Sequence, residues 1–259
     1  MQLFDSHCHL DDAAFDHDRE SVLQRAKENH VHEWMTVGVN KETSLRAVEI
    51  AQETAGGYAS IGVHPHFAST CSKATLRFFE QLATQPCVRA WGETGLDFNR
   101  MYSPRTDQEK WFVQQILAAD RLKLPLIFHE RDSRGRLLDM LRAHTDHQRR
   151  GVVHCFSGNE SELSAYLDLG LFIGVTGILT LKTRGKLLRK LIRHVPAEKL
   201  LIETDAPYLT PAPEKNKTRR NEPAFVKSVL LKLAEVRKED PEILAQTTLG
   251  NARRLFDIP

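Results

Sequence analysis

The chain has 259 residues, 41% of them hydrophobic and 27% charged, with a formal net charge of +2. That length fits one large barrel domain or two ordinary domains, and the composition supplies a sizeable core with a normal soluble surface. No apolar run approaches the roughly 18 residues a membrane span needs, and so mild a positive excess neither requires nor excludes a nucleic-acid partner.

Short apolar runs alternate with longer charged stretches of helical period. In chain order, Leu3–Phe4 leads to a helix over Arg19–Asn29, Glu33–Val39 to Thr43–Ala55, Tyr58–Val63 to Ala74–Ala83, and Val88–Gly92 to Asp107–Leu122. Then Leu124–Phe128 leads to Arg134–Ala143, Gly151–Val153 to Glu160–Leu169, Leu171–Val175 to Arg184–His194, and Leu200–Ile202 to Pro223–Arg237. A last helix in two pieces, Asp240–Gln246 and Asn251–Phe256, ends the pattern. Strand–helix alternation repeated eight times implies a parallel sheet. At this length the expected fold is an α/β (β/α)8 TIM-type barrel, one domain over residues 1–259. The longest irregular piece, Ala206–Pro223, carries Pro207, Pro211, Pro213 and Pro223 and is expected over the barrel mouth.

The four cysteines (Cys8, Cys71, Cys87 and Cys155) include no CxxC pair, which argues against a cysteine zinc site and for free thiols in a reducing compartment. Cys8 and Cys155 read as packing residues rather than nucleophiles. Met1 to His7 shows no charged leader before an apolar core, so no secretory signal is expected, and the expected location is the cytoplasm. Nothing in the sequence calls for an obligate protein partner.

The chemistry sits just after the strands. They run into His7-Cys8-His9, His64-Pro65-His66, Glu93-Thr94-Gly95-Leu96-Asp97, His129-Glu130-Arg131-Asp132, His154-Cys155 and Glu203-Thr204-Asp205. In a barrel all C-terminal strand ends converge on one face, so six strands deliver metal-capable side chains to one place. His7 and His9 stand two apart on a strand, which turns both rings to one face and Cys8 to the other. Imidazole and carboxylate donors suit zinc, manganese or magnesium.

A single histidine near a strand end is more often a hydrogen-bonded structural residue than a ligand. The set decides otherwise: six of the twelve histidines follow strands, while His17, His30, His32, His144, His147 and His194 read as solvated. Asp97, Glu130 and Asp132 stay open between a site role and loop charges. Lys182–His194, with Leu187, Leu188, Leu191 and Ile192, reads as a solvated helix rather than a basic binding strip. Lys215, Lys217, Arg219 and Arg220, followed by Asn221, sit in the long loop beside the proposed centre, where arginine forks and amides suit phosphate oxygens. Arg131, just past His129, is a second phosphate candidate.

These motifs resemble the TatD family of metal-dependent deoxyribonucleases, amidohydrolase-like metal barrels. The likeness runs through Asp5-Ser6-His7-Cys8-His9-Leu10, Gly62-Val63-His64-Pro65, Gly92-Glu93-Thr94-Gly95-Leu96-Asp97, His154-Cys155-Phe156-Ser157-Gly158, Glu203-Thr204-Asp205-Ala206-Pro207, Arg220-Asn221-Glu222-Pro223 and Gly250-Asn251-Ala252. The resemblance implies two divalent metal ions (Mg, Mn or Zn): His7 and His9 hold one with Asp205, His129 and His154 hold the second, and Glu93 bridges them. It also implies 3′-to-5′ exonuclease action on DNA, with single strands or 3′ ends as substrate.

The mechanism expected from these residues is attack of a metal-activated water on a phosphodiester, with Asp205 as general base. His64, Arg131, Arg220 and Asn221 are the expected phosphate-binding groups. The main rival is a metal-dependent amidohydrolase or lactonase acting on a small molecule. Many such barrels bridge their metals with a carboxylated lysine on the fourth strand, whereas Trp91-Gly92-Glu93-Thr94 has none. A second rival, a non-catalytic metal- or partner-binding barrel, leaves an acid poised as a base without a task. No GxSxG pattern surrounds Ser157, which argues against a serine hydrolase.

Overall fold

A computed structural model describes residues 1–144 and 149–259. Eight parallel strands follow one another around a single sheet in sequence order. They are β1 (Leu3–Cys8), β2 (Val31–Val37), β3 (Gly57–Ile61), β4 (Val88–Asp97), β5 (Leu126–Arg131), β6 (Gly151–Val153), β7 (Phe172–Val175) and β8 (Leu200–Ile202). The helices are α1 (Arg19–Glu28), α2 (Lys41–Glu53), α3 (Lys73–Leu82), α4 (Arg105–Leu122), α5 (Arg136–Ala143), α6 (Glu160–Asp168), α7 (Lys186–Leu191), α8 (Ala212–Lys215), α9 (Val226–Arg237) and α10 (Pro241–Phe256). This is the expected (β/α)8 barrel. No helix among the described residues is long and apolar enough to cross a membrane.

Phe4, Met35, Val37, Ala90, Ile127, Val152, Phe172 and Leu201 form one buried cluster, with Tyr58 packed against it. Side chains from all eight strands can meet only inside the barrel, so this cluster is its lumen. Ala252, Leu255 and Phe256 of α10 join it, placing the last helix against the core. That helix runs unbroken through Gly250, where a break was expected. A helical glycine costs only about 1 kcal/mol relative to alanine. Leu244, Ala245, Ala252, Leu255 and Phe256 are all buried and hold the helix together across it.

Several strands extend further than their apolar runs. In β4 the pairing continues through Thr94 with Phe128, Gly95 with His129 and Asp97 with Arg131. Polar side chains there signal a loop, but the backbone ladder does not depend on side-chain polarity. The loop 206–223 is less irregular than expected, because α8 forms within it. The helix expected over Arg184–His194 is shorter: α7 is followed by a 3-10 turn at Ile192–His194, and Arg184 lies in the turn before it.

The barrel closes between β1 and β8. Asp205 N donates to His7 O at 2.9 Å and His9 N donates to Ala206 O at 2.7 Å. Below them, Ser6 Oγ donates to Ile202 O at 3.0 Å, and Asp5 receives Thr204 N at 2.8 Å and Thr204 Oγ1 at 2.5 Å. Burial pushes the Asp5 carboxyl up to about 8, although Thr204 donates to it.

The segment after α8 is latched to α1. Arg220 forks Asp18 at 2.8 and 2.6 Å, donates to Ala14 O at 2.6 Å and stands 5.0 Å over the Phe15 ring. Arg25 forks Glu222, its Nη2 2.7 Å from Oε2. Between them, Asn221 Nδ2 donates to Thr204 O at 2.8 Å and Tyr208 O at 2.6 Å. The run Arg220-Asn221-Glu222 therefore ties the chain beyond β8 to the first helix and to its own loop.

Two outcomes follow from these contacts. In the metal-free protein, Asp5→Ala leaves buried Thr204 donors without a partner and is expected to lose about 1–3 kcal/mol in urea unfolding. Asp5→Asn mimics the protonated acid and should lose much less. The folded carboxyl keeps its proton above the ordinary 3.8, so the folded state binds more protons than the unfolded one between those values. Wild-type stability should then fall relative to Asp5→Asn as pH rises from about 5 to 8; equal losses in both variants, flat with pH, would contradict the assignment. Arg220→Ala removes a part-exposed ion pair and a ring contact worth together about 1 kcal/mol, for an expected drop in Tm of about 2–4 °C.

Candidate metal centre

Two strands turn their donors inward by breaking the two-residue alternation. Phe4 faces the lumen, so regular alternation would turn His7 outward. A register irregularity between Asp5 and Cys8 resets it, and both His7 and His9 face the cavity while Cys8 Sγ lies 3.3 Å from Met35 O. On β4, Ala90 faces the lumen, and a bulge between Gly92 and Thr94 again inverts the order. Glu93 then points inward, while Thr94 Oγ1 receives Gln115 Nε2 of α4 at 2.7 Å. A bulge re-aims a side chain in this way. Gly92 carries the φ of +139° that this bend uses, and a Cβ there would meet Ile127 O at 2.4 Å. On β5, β6 and β8 plain alternation suffices: His129 follows Ile127, His154 follows Val152, and Asp205 follows Leu201 by two steps of two.

The result is a buried cluster of five imidazoles and two carboxylates. Glu93 divides its oxygens. Oε2 lies 3.4 Å from His7 Nε2 and 4.0 Å from His9 Nε2. Oε1 lies 2.5 Å from His129 Nδ1, 3.6 Å from His64 Nε2 and 4.0 Å from His154 Nε2. Asp205 Oδ1 lies 3.4 Å from His9 Nε2, 3.7 Å from His154 Nε2 and 3.9 Å from His7 Nε2. The His7 and His9 Nε2 atoms are 3.3 Å apart, and the His7 and His154 rings stack with centroids at 3.5 Å.

Outer contacts hold these rings in place. His9 Nδ1 lies 2.8 Å from Val37 O, which leaves Nε2 for the cavity. His154 Nδ1 lies 2.9 Å from Glu203 Oε1, and Glu203 Oε1 also receives Cys155 N at 2.6 Å. Glu203 fits because Gly174 faces it on β7, where a Cβ would come 2.6 Å from its carboxylate. His64 Nδ1 accepts His66 N at 3.0 Å, and Asp97 Oδ2 lies 2.7 Å from His66 Nε2 and 3.4 Å from His129 Nε2. Orienting partners of this kind fix which ring nitrogen faces a metal.

The charges are balanced against burial. Burial pushes Glu93 up, but the imidazoles of His64, His154 and His129 more than reverse it and hold the carboxyl well below the usual range. Burial pushes Asp205 up too, and His9, His154 and His7 bring it below the ordinary value. Burial lowers His9, yet Asp205 raises it to about 10. His129 and His154 are likewise lowered by burial but raised to about 9, by Glu93 and Asp97 and by Glu203 and Glu93 respectively. His7 is lowered by burial and by His154, and His64 is lowered to about 4 by burial and by His129.

Divalent cations fit this donor set. Three groups of donor atoms each lie within 4.8 Å of one another: His7, His154 and Asp205; His7, His9 and Glu93; and His64, Glu93 and His129. Packing imidazole nitrogens this close inside the fold is costly without a cation or protons between them, and nitrogen and carboxylate donors suit zinc, manganese or magnesium. Cys8 and Cys155 add nothing here, because burial raises both thiols above their ordinary range.

The structure brings together His7, His9, Glu93, His129, His154 and Asp205, all expected there. It adds His64, which was expected to meet substrate phosphate and instead stands beside His129 and Glu93. His154 lies with His7 and Asp205 as well as near Glu93, a closer mixing of the two expected ligand groups than the resemblance implied. Arg220 and Asn221 are placed elsewhere: Arg220 is spent on Asp18 and Ala14, and buried Asn221 on the carbonyls of Thr204 and Tyr208. Both Nη atoms of Arg220 and the whole Asn221 amide are engaged within the protein. Arg131 stays half-buried at the end of β5. Asp97 orients His129 and His66, Asp132 Oδ2 receives Asn99 Nδ2, and Glu130 Oε1 receives Ser133 N. His17, His30, His32 and His194 are exposed and His144 is half-buried, while His147 lies outside the described residues. Two orienting acids, Asp5 and Glu203, stand out in the sequence only as parts of motifs. Their adjacency to His7 and Asp205 was the one available signal.

A family model described as TatD related DNase matches residues 4–257. A Citrobacter koseri protein named 3′-5′ ssDNA/RNA exonuclease TatD is 42% identical over 258 residues, covering 99% of each chain. The crystal structure of YJJV, a TatD homologue from Escherichia coli, superposes with a TM-score of 0.91 at 32% identity, over 99% of this chain and 98% of that one. A TatD family hydrolase from Entamoeba histolytica superposes with a TM-score of 0.90 at 25% identity, over 100% and 99% of the two chains. With the family's pattern matched nearly end to end, on the same barrel and around these converging donors, the chain belongs to the TatD-related DNase family.

Proposed function

We propose that this chain is a metal-dependent nuclease that removes nucleotides from the 3′ end of single-stranded DNA, using two divalent cations. The observation that carries the reading is the division of Glu93, one oxygen toward His7 and His9 and the other toward His64, His129 and His154. A carboxylate facing two imidazole groups is placed to bridge two cations. The related exonuclease named above acts on single-stranded DNA and RNA, which supports the same substrate class here.

Bound cations would polarise a phosphoryl oxygen and make water acidic enough to attack near neutral pH. The protein's part is to hold and deprotonate. His7, His9, Glu93, His129, His154 and Asp205 are the proposed ligands, with His64 beside them. Asp205 remains ionised under three imidazoles and takes the proton of the attacking water. Arg131, at the end of β5, is the guanidinium we assign to the substrate phosphate. Two exposed phenol rings flank the centre: Tyr102 stands 4.7 Å from His66 and Tyr208 5.9 Å from His9, centroid to centroid. Exposed rings of this kind stack unpaired bases, which favours a single strand over a duplex.

A small-molecule amidohydrolase reading is not favoured, because Glu93 occupies the fourth-strand position that a bridging lysine would need. The test is a 5′-labelled single-stranded oligonucleotide incubated with Mg²⁺ or Mn²⁺. A ladder shortening from the 3′ end is expected, lost on chelation and restored by returning the cation. Glu93→Gln should reduce the rate by at least about 10³-fold and lower the number of Mn²⁺ bound per chain in equilibrium dialysis. Asp205→Asn should cost about 10²–10⁴-fold in kcat, the range for removing a general base. Ladders that survive chelation, or that persist unchanged in Glu93→Gln, would falsify the proposal.

A further inference from the structure

A groove of about 1030 Å³ runs between α5, α6 and α7, walled by the chain that follows β5, β6 and β7. Its lining continues the strands that carry the metal centre: Glu130 and Arg131 directly follow His129, and Ser157 follows the His154-Cys155-Phe156 turn. Its volume is at the top of the roughly 300–1,000 Å³ usual for a single small ligand.

The pairing of its charged residues separates this groove from the rest of the surface. Elsewhere most arginines are spent on partners, as Arg25 is on Glu222, Arg136 on Glu109, Arg149 on Asp120 and Arg150 on Asp257. Arg131, Arg134 and Arg184 line the groove, and among the described residues none of the three has a carboxylate within salt-bridge distance. The groove's acids are already engaged. Glu130 receives Ser133 N at 2.9 Å, Asp132 receives Asn99 Nδ2 at 2.7 Å, and Glu162 receives Asn159 N at 2.9 Å as half of the α6 capping box. Its floor is apolar, with Leu138, Phe156, Ala165 and Leu188. The amino-terminal ends of α5 and α6 also face it, adding positive dipole ends. Uncommitted guanidinium groups above an apolar floor suit a chain that carries regularly spaced phosphates and flat bases.

We infer that this groove is the track for the trailing strand, in which Arg134 and Arg184 hold backbone phosphates on the 5′ side of the linkage being cut, while Arg131 at its inner end keeps the substrate phosphate assigned to it above. The inference rests on the nuclease reading above and adds to it. The centre alone acts on the terminal linkage, and the groove sets how strongly a longer strand is preferred to a dinucleotide. Arg134 and Arg184 are exposed, so replacing them should leave the fold intact.

The test compares wild type, the double variant Arg134→Gln/Arg184→Gln, and Arg77→Gln, which removes an exposed charge on α3 away from the groove. Binding of a fluorescein-labelled twelve-residue oligothymidylate is followed by anisotropy in the metal-free protein across a salt series, and KM and kcat are measured with Mn²⁺ on the same strand and on a dinucleotide. We expect the double variant to raise Kd and KM for the long strand by about tenfold or more, with kcat at saturation and dinucleotide turnover changed less than about twofold. The slope of log Kd against log salt should fall by about 1.4, which is 0.7 for each of two lost single-strand phosphate contacts. Arg77→Gln should match wild type. An active wild type whose double variant keeps the same Kd, KM and salt slope overturns the groove assignment and leaves the nuclease reading standing. A wild type that turns over neither substrate overturns the nuclease reading and this inference with it.

Discussion

Two backbone hydrogen bonds at the β1–β8 junction, from Asp205 N to His7 O and from His9 N to Ala206 O, do more than close the barrel. The residues whose amides and carbonyls make the junction also carry the donors His7, His9 and Asp205. Closure and assembly of the centre are therefore one event: a barrel open at this edge would separate the first histidine pair from its carboxylate. The supports behind the junction follow the same logic. Asp5 clips Thr204 from below, Asn221 clips the carbonyls of Thr204 and Tyr208, and the Arg220–Asp18 and Arg25–Glu222 pairs hold the following chain against α1. Apart from the buried Asp5 contact, each carries little energy alone. Their shared effect is to fix where β8 delivers Asp205.

The centre itself is a costly arrangement. Buried imidazoles and carboxylates lose hydration, and the fold recovers it only by setting opposite charges against one another. Asp205 and Glu93 stay ionised because histidines surround them; His9, His129 and His154 hold protons because carboxylates face them. Divalent cations would replace those protons at the same atoms. Tolerance of such a cluster is a mark of a functional site, and the apolar lumen beneath it supplies the rigidity it needs.

Much of this was legible beforehand, for identifiable reasons. Alternating apolar runs and helical stretches carry the barrel directly, and plain two-residue alternation carries His129, His154 and Asp205 to the correct face. His7 and His9 were legible as a pair. The inversions that turn them and Glu93 inward were not, because a bulge is a property of strand register and leaves no pattern in residue type. Arg220 shows the opposite case. Its place in the loop after β8 suggested phosphate, but a guanidinium takes whichever carboxylate lies in reach, and Asp18 belongs to a distant segment whose approach only the folded chain reveals. His64 was not legible as a neighbour of the cluster for a similar reason, since His129 lies 3.1 Å away across two strands.

The most direct measurement is anomalous diffraction from crystals of the protein grown with Mn²⁺. Two peaks are expected inside the barrel mouth, one beside His7 and His9 and one beside His129, with the Glu93 carboxylate between them and Asp205 in contact with at least one. Peaks confined to the outer surface, or a fully occupied mouth in which Glu93 touches no cation, would contradict it.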